Sequence, residues 1–341
     1  VSTYTRVLIR VLAGKGVAHE IVLFDLDGTT GRGELENALG PLPTSVSVAS
    51  TSRTELESID LFHAPAFAMP PVGARRHAFT VHDLTVLSHP DCHTVGNRVR
   101  TLTSIAEALV RGATIIAVSE ATRREALRLL SLPSEDIEVL PPILSPTFTA
   151  QGDAGADDRV VRSRGVDGAY VLAVASLEPR KNIGRVLEAW TLLPEELRQT
   201  HQLVVVAADE WRQTRVRRRL NAMSRTRSVV NVGHLPSVEL AALFRRARVF
   251  VFPSLAEGFG LPVVEAMACG APVVTSNRSS LPEVAGDAAV LVDPEDPDEI
   301  ASVVREVLED QGLRRGLRDR GFERARLYNG SAVLPRLLAI Y

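Results

Sequence analysis

The 341 residues carry 39 Lys and Arg against 41 Asp and Glu, a balance too even for a chain that grips nucleic acid through its charge. The length exceeds one ordinary domain, no apolar run approaches the ~20 residues of a membrane span, and the N-terminus lacks a signal-peptide pattern. Two cysteines, Cys92 and Cys269, make no disulfide framework. The expectation is therefore a two-domain cytoplasmic protein with at most a peripheral contact on the inner face of a membrane.

A helical pattern over 3–14 comes first, followed by the apolar run IVL and the hexamer FDLDGT at 24–29. An Asp-x-Asp-Gly-Thr at a strand end resembles the nucleophile and acid/base pair of haloacid dehalogenase phosphatases. A bare Asp-x-Asp also resembles the cation-holding pair of metal-dependent glycosyltransferases. Strands are predicted at 20–26, 59–63, 77–82, 114–118 and 137–140, and helices at 97–111 and 120–130, the first with Leu102, Ile105, Ala106 and Leu109 on one face. Residues 141–168 break this alternation with Pro, Gly and charge and read as a linker. Alternation then restarts with strands at 169–175, 202–207, 228–232, 249–252, 272–275 and 288–292. Helices are predicted between them at 183–193, 212–222, 238–246 and 262–269, and after them at 298–310. The expected fold is α/β with two doubly wound Rossmann-like domains facing a cleft. The expected boundaries are 1–145, a linker at 146–167, a second domain at 168–322, and a helix at 323–341 returning to the first domain.

Chemistry concentrates in VFVFPSLAEGFGLPVVEAMACGAPVV, residues 249–274. A strand runs into Glu257-Gly258-Phe259-Gly260, Pro262 suits the start of a helix and Gly270 its end. Strand, glycine loop and helix N-terminus form an anion site. Glu257 and Glu265, eight residues apart, would flank that site, one toward each diol of a nucleotide sugar. Each has a plainer reading, as a solvated loop Glu or a helix-dipole partner. A second cluster, LEPRKN at 177–182, sets Arg180 and Lys181 beside another helix start, which Asn182 is expected to cap. All cations but Lys15 and Lys181 are arginine, which singles out Lys181. Two such cations would stabilise a departing diphosphate.

LEPRKN and FPSLAEGFGLPVVEAMACGAPVVTSNRSSLPEVAGDAAVLVDP together resemble the retaining glycosyltransferases of family 4, of GT-B fold, on their mannosyltransferase-like branch. HAPAFAMPP, FTVHDLTVLSHP and IIAVSEATRREALRLL resemble the first domain of that family in order. The resemblance implies that Glu257 meets the donor sugar, Glu265 the ribose, and the backbone of Gly258, Phe259, Gly260 and Leu261 the sugar hydroxyls and phosphate. It implies that Arg180 and Lys181 hold the diphosphate and that Val232 and His234 frame the base. His82 would reach the sugar, although a strand-end His is also an ordinary hydrogen-bonder. Ser119 joins the substrate-binding candidates, although it reads first as a helix N-cap. The implied reaction moves a hexose, mannose first, from a nucleotide diphosphate such as GDP to a hydroxyl with retention and without metal or other cofactor. The acceptor would be a glycan, a lipid-linked chain or a small molecule. Family members open with a strand and a glycine-rich loop for which residues 1–14 offer no counterpart. The rival from a different class is a non-catalytic nucleotide-sugar-binding partner protein. A phosphatase would need a Lys between Ser119 and the acidic Gly152-Asp153…Asp157, and none is there.

Overall fold

A computed structural model describes residues 2–14, 21–25, 36, 46–50, 59–65, 73–207, 214–226 and 228–341. The chain divides into two compact units, residues 1–143 with 329–341, and residues 144–328.

In the first unit α1 (Ser2–Gly14) precedes a parallel pair, β1 (Ile21–Asp25) and β2 (Val46–Ser50). A four-stranded parallel sheet follows, in spatial order β3 (Leu61–Ala64), β4 (Arg76–Val81), β5 (Thr114–Ala117) and β6 (Ile137–Val139). Short α2 (Thr85–Ser88) and α3 (Val95–Val110) link β4 to β5, and α4 (Glu120–Leu130) links β5 to β6. Side chains alternate across β5, so Ile115 enters a cluster with Phe79, Ile105 and Ala126 while Ile116 enters another with Tyr4, Leu8, Val333 and Leu337. One face is thus covered by α3 and α4, the other by α1 and the final helix.

The second unit begins with α5 (Ala154–Ser163), inside the stretch expected to be linker. The Gly-Asp-rich run that looked like a helix breaker is a helix cap. Asp153 Oδ1 accepts from the N–H groups of Gly155 and Ala156 at 2.7 and 3.0 Å. Asp157 then forms a two-pronged ion pair with Arg245, both bonds 2.6 Å, and Arg164 and Arg246 pair with Glu239 and Asp158. These bonds fasten α5 to α9 (Ser237–Arg246). Gly152 lets the Arg245 side chain lie close against the backbone, since a Cβ there would stand 2.5 Å from Arg245 Nε. The two Asp residues that imitated a phosphatase motif are a cap and an ion-pair partner.

The strands of this unit are β7 (Ala169–Val174), β8 (His201–Val206), β9 (Val229–Asn231), β10 (Val249–Phe252), β11 (Val273–Ser276) and β12 (Ala289–Val292). The helices are α6 (Ile183–Leu192), α7 (Glu195–Thr200), α8 (Thr214–Met223), α10 (Leu261–Cys269), α11 (Leu281–Ala285), α12 (Pro297–Glu309) and α13 (Gln311–Arg326). The sheet is parallel with spatial order β12-β11-β10-β7-β8-β9. Val171, Val205 and Val251 pack against Leu187, Trp190, Leu220 and Ile300 on one face. On the other face Tyr170 donates to the Leu243 carbonyl at 2.7 Å, and Phe244 and Phe250 meet edge to face. The chain winds outward from β7 one way and from β10 the other, so these adjacent strands form the topological switch point, where α/β sheets bind ligands.

The segment expected as one helix over 323–341 is two. α13 ends at Arg326, and α14 (Gly330–Ile340) starts anew behind Asn329, whose side chain accepts from Ala332 N–H at 2.9 Å. Only α14, with Asn329, belongs to the first unit.

Candidate functional site

The loops leaving β7 and β10 meet beyond the carboxyl ends of their strands. After β7 a tight turn at Pro179–Lys181 sets two cations side by side. After β10 the chain passes through fully buried Ser254 to Glu257, which is 8% exposed. Lys181 Nζ donates to Glu257 Oε1 at 2.6 Å and Arg180 Nη1 to Oε2 at 3.1 Å. Arg180 also donates through Nε to Glu178 at 2.6 Å and through Nη1 to the Ala256 carbonyl at 3.0 Å. Ser254 Oγ donates to Glu257 Oε1 at 2.7 Å. The result is an electroneutral quartet of Glu178, Arg180, Lys181 and Glu257. Burial pushes the Glu257 pKa upward, but the charges of Lys181 and Arg180 outweigh it and hold the carboxyl below the ordinary range.

The loop closes at Gly260, whose φ of +101° and the Leu281 side chain, 2.5 Å from where a Cβ would stand, exclude other residues. Leu261 is the first residue of α10 and Pro262 the second, which shifts the expected start by one. No side chain caps this helix, and the N–H groups of Phe259, Gly260 and Leu261 make no hydrogen bond among the described residues. They are orphan donors at the positive end of a nine-residue helix. Glu265 lies in the second turn of α10. It is also 8% exposed, has no partner among the described residues, and burial pushes its pKa up to about 8.

Three of the expected site residues are therefore in direct contact, Arg180, Lys181 and Glu257, with Gly258 to Leu261 contiguous and Glu265 on the same helix. Val232 and His234 follow β9, two strands from β7, and no hydrogen bond joins either to the quartet. His82 and Ser119 belong to the other unit. His82 directly follows β4, its ring meets Tyr4 edge to face, and its Nε2 lies 2.7 Å from the Pro65 carbonyl. A carbonyl only accepts, so Nε2 carries the proton and Nδ1 the lone pair. Burial lowers the His82 pKa. Ser119 caps α4, accepting from Thr122 N–H at 2.9 Å. Among the described residues no group of three or more His, Cys, Asp and Glu is placed to hold a metal, and no helix is long and apolar enough to cross a membrane.

Sequence reasoning missed Ser254, Glu178, and the pair Ser279 and Ser280. Ser279 accepts from Glu257 N–H at 3.2 Å, and both hydroxyls donate to the Glu257 carbonyl, at 2.6 and 3.0 Å. The consecutive serines before Leu281-Pro282 were the available signal. It also misassigned Asn182, whose side chain makes no capping bond to α6.

Two family descriptions match the chain, "Glycosyltransferase Family 4" over residues 1–148 and "Glycosyl transferases group 1" over 157–324. The O-antigen chain mannosyltransferase B of Escherichia coli is 33% identical over 282 residues, 82% of this chain and 74% of the relative. The MMP alpha-(1->4)-mannosyltransferase of Mycolicibacterium hassiacum is 32% identical over 233 residues, 67% of this chain and 53% of the relative. Among solved structures, Anabaena HepE in complex with UDP and glucose superposes with a TM-score of 0.77 at 17% identity, covering 98% of this chain and 95% of that one.

Proposed function

The chain belongs to the family 4 and group 1 glycosyltransferases, with two Rossmann-like units of the GT-B kind, and from that premise we propose that it moves a hexose from a nucleotide diphosphate sugar to a hydroxyl with retention. Mannose is the proposed sugar and GDP the proposed carrier, because both named relatives are mannosyltransferases. The acceptor is proposed as a growing glycan, lipid-linked or free.

One observation carries the reading. Two cations, a buried carboxylate and three unengaged N–H groups converge at the switch point of the second unit. The N–H groups and the helix dipole suit the diphosphate, and Lys181 and Arg180 suit the charge that develops as the glycosidic oxygen departs. Glu257 is the group proposed to meet the sugar. Glu265, buried and without a partner among the described residues, is proposed to accept from the ribose diol. A leaving group stabilised in this way requires neither a metal nor the paired carboxylates of a glycosidase. His82, Ser119, Val232 and His234 remain proposed substrate contacts, and the donor half of the proposal rests on the second unit alone.

Thermal unfolding in GDP, UDP, dTDP and ADP tests this. GDP is expected to raise the midpoint most, and transfer from labelled GDP-mannose to a glycan acceptor is expected to follow. If no nucleotide shifts the midpoint, the donor site is misassigned. Binding without any transfer favours a non-catalytic nucleotide-sugar-binding protein.

A further inference from the structure

We infer that Asn182 is a positioning residue for the diphosphate-holding cations, an assignment that rests on the donor-site reading above. Its backbone sits at φ +64°, in the left-handed region that few residues other than glycine occupy and that Asn tolerates best. Glycine would meet that need at less cost, so the side chain must supply the reason for Asn. It is 5% exposed, and its amide donates to two carbonyls, Pro253 at 2.9 Å and Pro294 at 2.6 Å. Because both partners only accept, the amide nitrogen must face them, which fixes the orientation of the group. The amide oxygen accepts from Arg185 Nη1 at 3.2 Å.

Those carbonyls lie just beyond β10 and β12, so one side chain ties three segments at the switch point. Lys181 precedes it by one peptide, and Pro253 opens the loop that carries Glu257. The cation and its carboxylate partner thus share an anchor. A separate tie, from Leu255 N–H to the Arg180 carbonyl at 2.7 Å, joins the same two loops without Asn182. Losing the amide should therefore loosen the cation turn without opening the fold. The spacing between turn and loop sets where the Lys181 Nζ and the Arg180 guanidinium meet a phosphate, and an ångström of slack there is costly.

The test compares a nucleoside diphosphate with its monophosphate, GDP and GMP first, by calorimetry on the full chain. Asn182→Gly keeps the left-handed backbone and removes only the amide, and Lys181→Ala is the reference. The expected result is GDP binding weakened about tenfold in Asn182→Gly, with GMP binding unchanged and the thermal midpoint lowered by only a few degrees. The GDP-to-GMP ratio should fall in the same sense as in Lys181→Ala. A ratio that survives in Asn182→Gly but falls in Lys181→Ala overturns the positioning role and leaves the donor site standing. A ratio unmoved in both overturns the two together. Should Asn182→Gly fail to fold, Asn182→Asp reads the same quantity. Its carboxylate, repelled by two carbonyls, should weaken GDP near neutral pH. Acidification relative to wild type should restore binding as the acid regains one donor, and no recovery overturns the assignment.

Discussion

Glu257 and Glu265 sit on one continuous loop and helix, are equally buried, and are held in opposite ways. Glu257 has two cations and a hydroxyl on its carboxylate and stays charged; Glu265 has no partner among the described residues and its pKa rises to about 8. Burial desolvates both, so the difference comes from what the neighbouring strand delivers. β7 lies beside β10 and its loop brings Lys181 and Arg180 to the first carboxylate, whereas the second pairs with no cation among the described residues. The lesson is that one carboxylate is built into the resting structure while the other is left for something to arrive.

The comparison breaks most severely at Glu257. Glu257→Gln removes the buried carboxylate charge that two partly buried cations face, and breaking one side of such a pair costs about 3 kcal/mol. Lower stability in denaturant titration is therefore expected, together with a loss of turnover on the order of 10²–10³. Nucleoside diphosphate should bind more tightly, because the cations no longer have a resident anion to give up. Weaker GDP binding in this variant would place the diphosphate elsewhere.

Glu265→Gln should act in the opposite sense. The raised folded-state pKa means that the native protein holds a proton which the unfolded chain, with its carboxyl near 4.5, has released. Wild-type stability should accordingly fall as pH rises from about 4.5 toward about 8. Glu265→Gln should flatten that slope and be the more stable protein near neutral pH, by several kcal/mol at the upper limit. A ribose diol that donates to Glu265 needs the carboxylate. Nucleotide binding should therefore release a proton, seen as calorimetric heats that vary with the buffer's ionisation enthalpy, and Glu265→Gln should abolish that dependence.

What the sequence disclosed of this site follows from how local each signal is. Gly260, Pro262 and Gly270 mark the ends of α10 within their own segment, and the scarcity of lysine marks Lys181 without any structure. Both carboxylates were therefore visible, but their contrast was not, because it depends on which strand lies beside β10. Asn182 was read as a cap since its neighbours allow it, while its true partners, Pro253 and Pro294, are 71 and 112 residues away. The same blindness hid α5, whose anchor Arg245 lies 88 residues beyond Asp157. Of FDLDGT, β1 includes Phe24 and Asp25, and Asp27 of the Asp-x-Asp pair lies outside the described residues.

A second buried ion pair separates stability from function. Asp157 and Arg245, with side chains 8% and 13% exposed, resemble the Glu257 pair in burial but fasten α5 to α9 instead. Asp157→Asn should cost about 3 kcal/mol of unfolding free energy and leave GDP affinity unchanged at temperatures where the variant is folded. If it loses nucleotide binding as Glu257 variants lose turnover, ion-pair loss acts globally and the site has no special claim.

The smallest expected effect gives the sharpest reading of the contrast. Ser254→Ala removes one hydroxyl from Glu257 and leaves both cations in place, so the cost should be about 1 kcal/mol. Its value lies in the titration. Glu257 is held below the ordinary carboxylate range, so its contribution to stability is complete above the unfolded-chain pKa of 4.5 and is lost as pH falls through the lower folded one. Without the Ser254 bond the folded pKa should move upward, and acid unfolding of the variant should begin at higher pH than in the wild type. Glu265 has no such bond among the described residues, so Ser254→Ala should leave the separate decline above about 4.5 untouched. If one serine moved both limbs of the profile, the two carboxylates would be coupled, and the division between a built-in anion and a waiting one would fail.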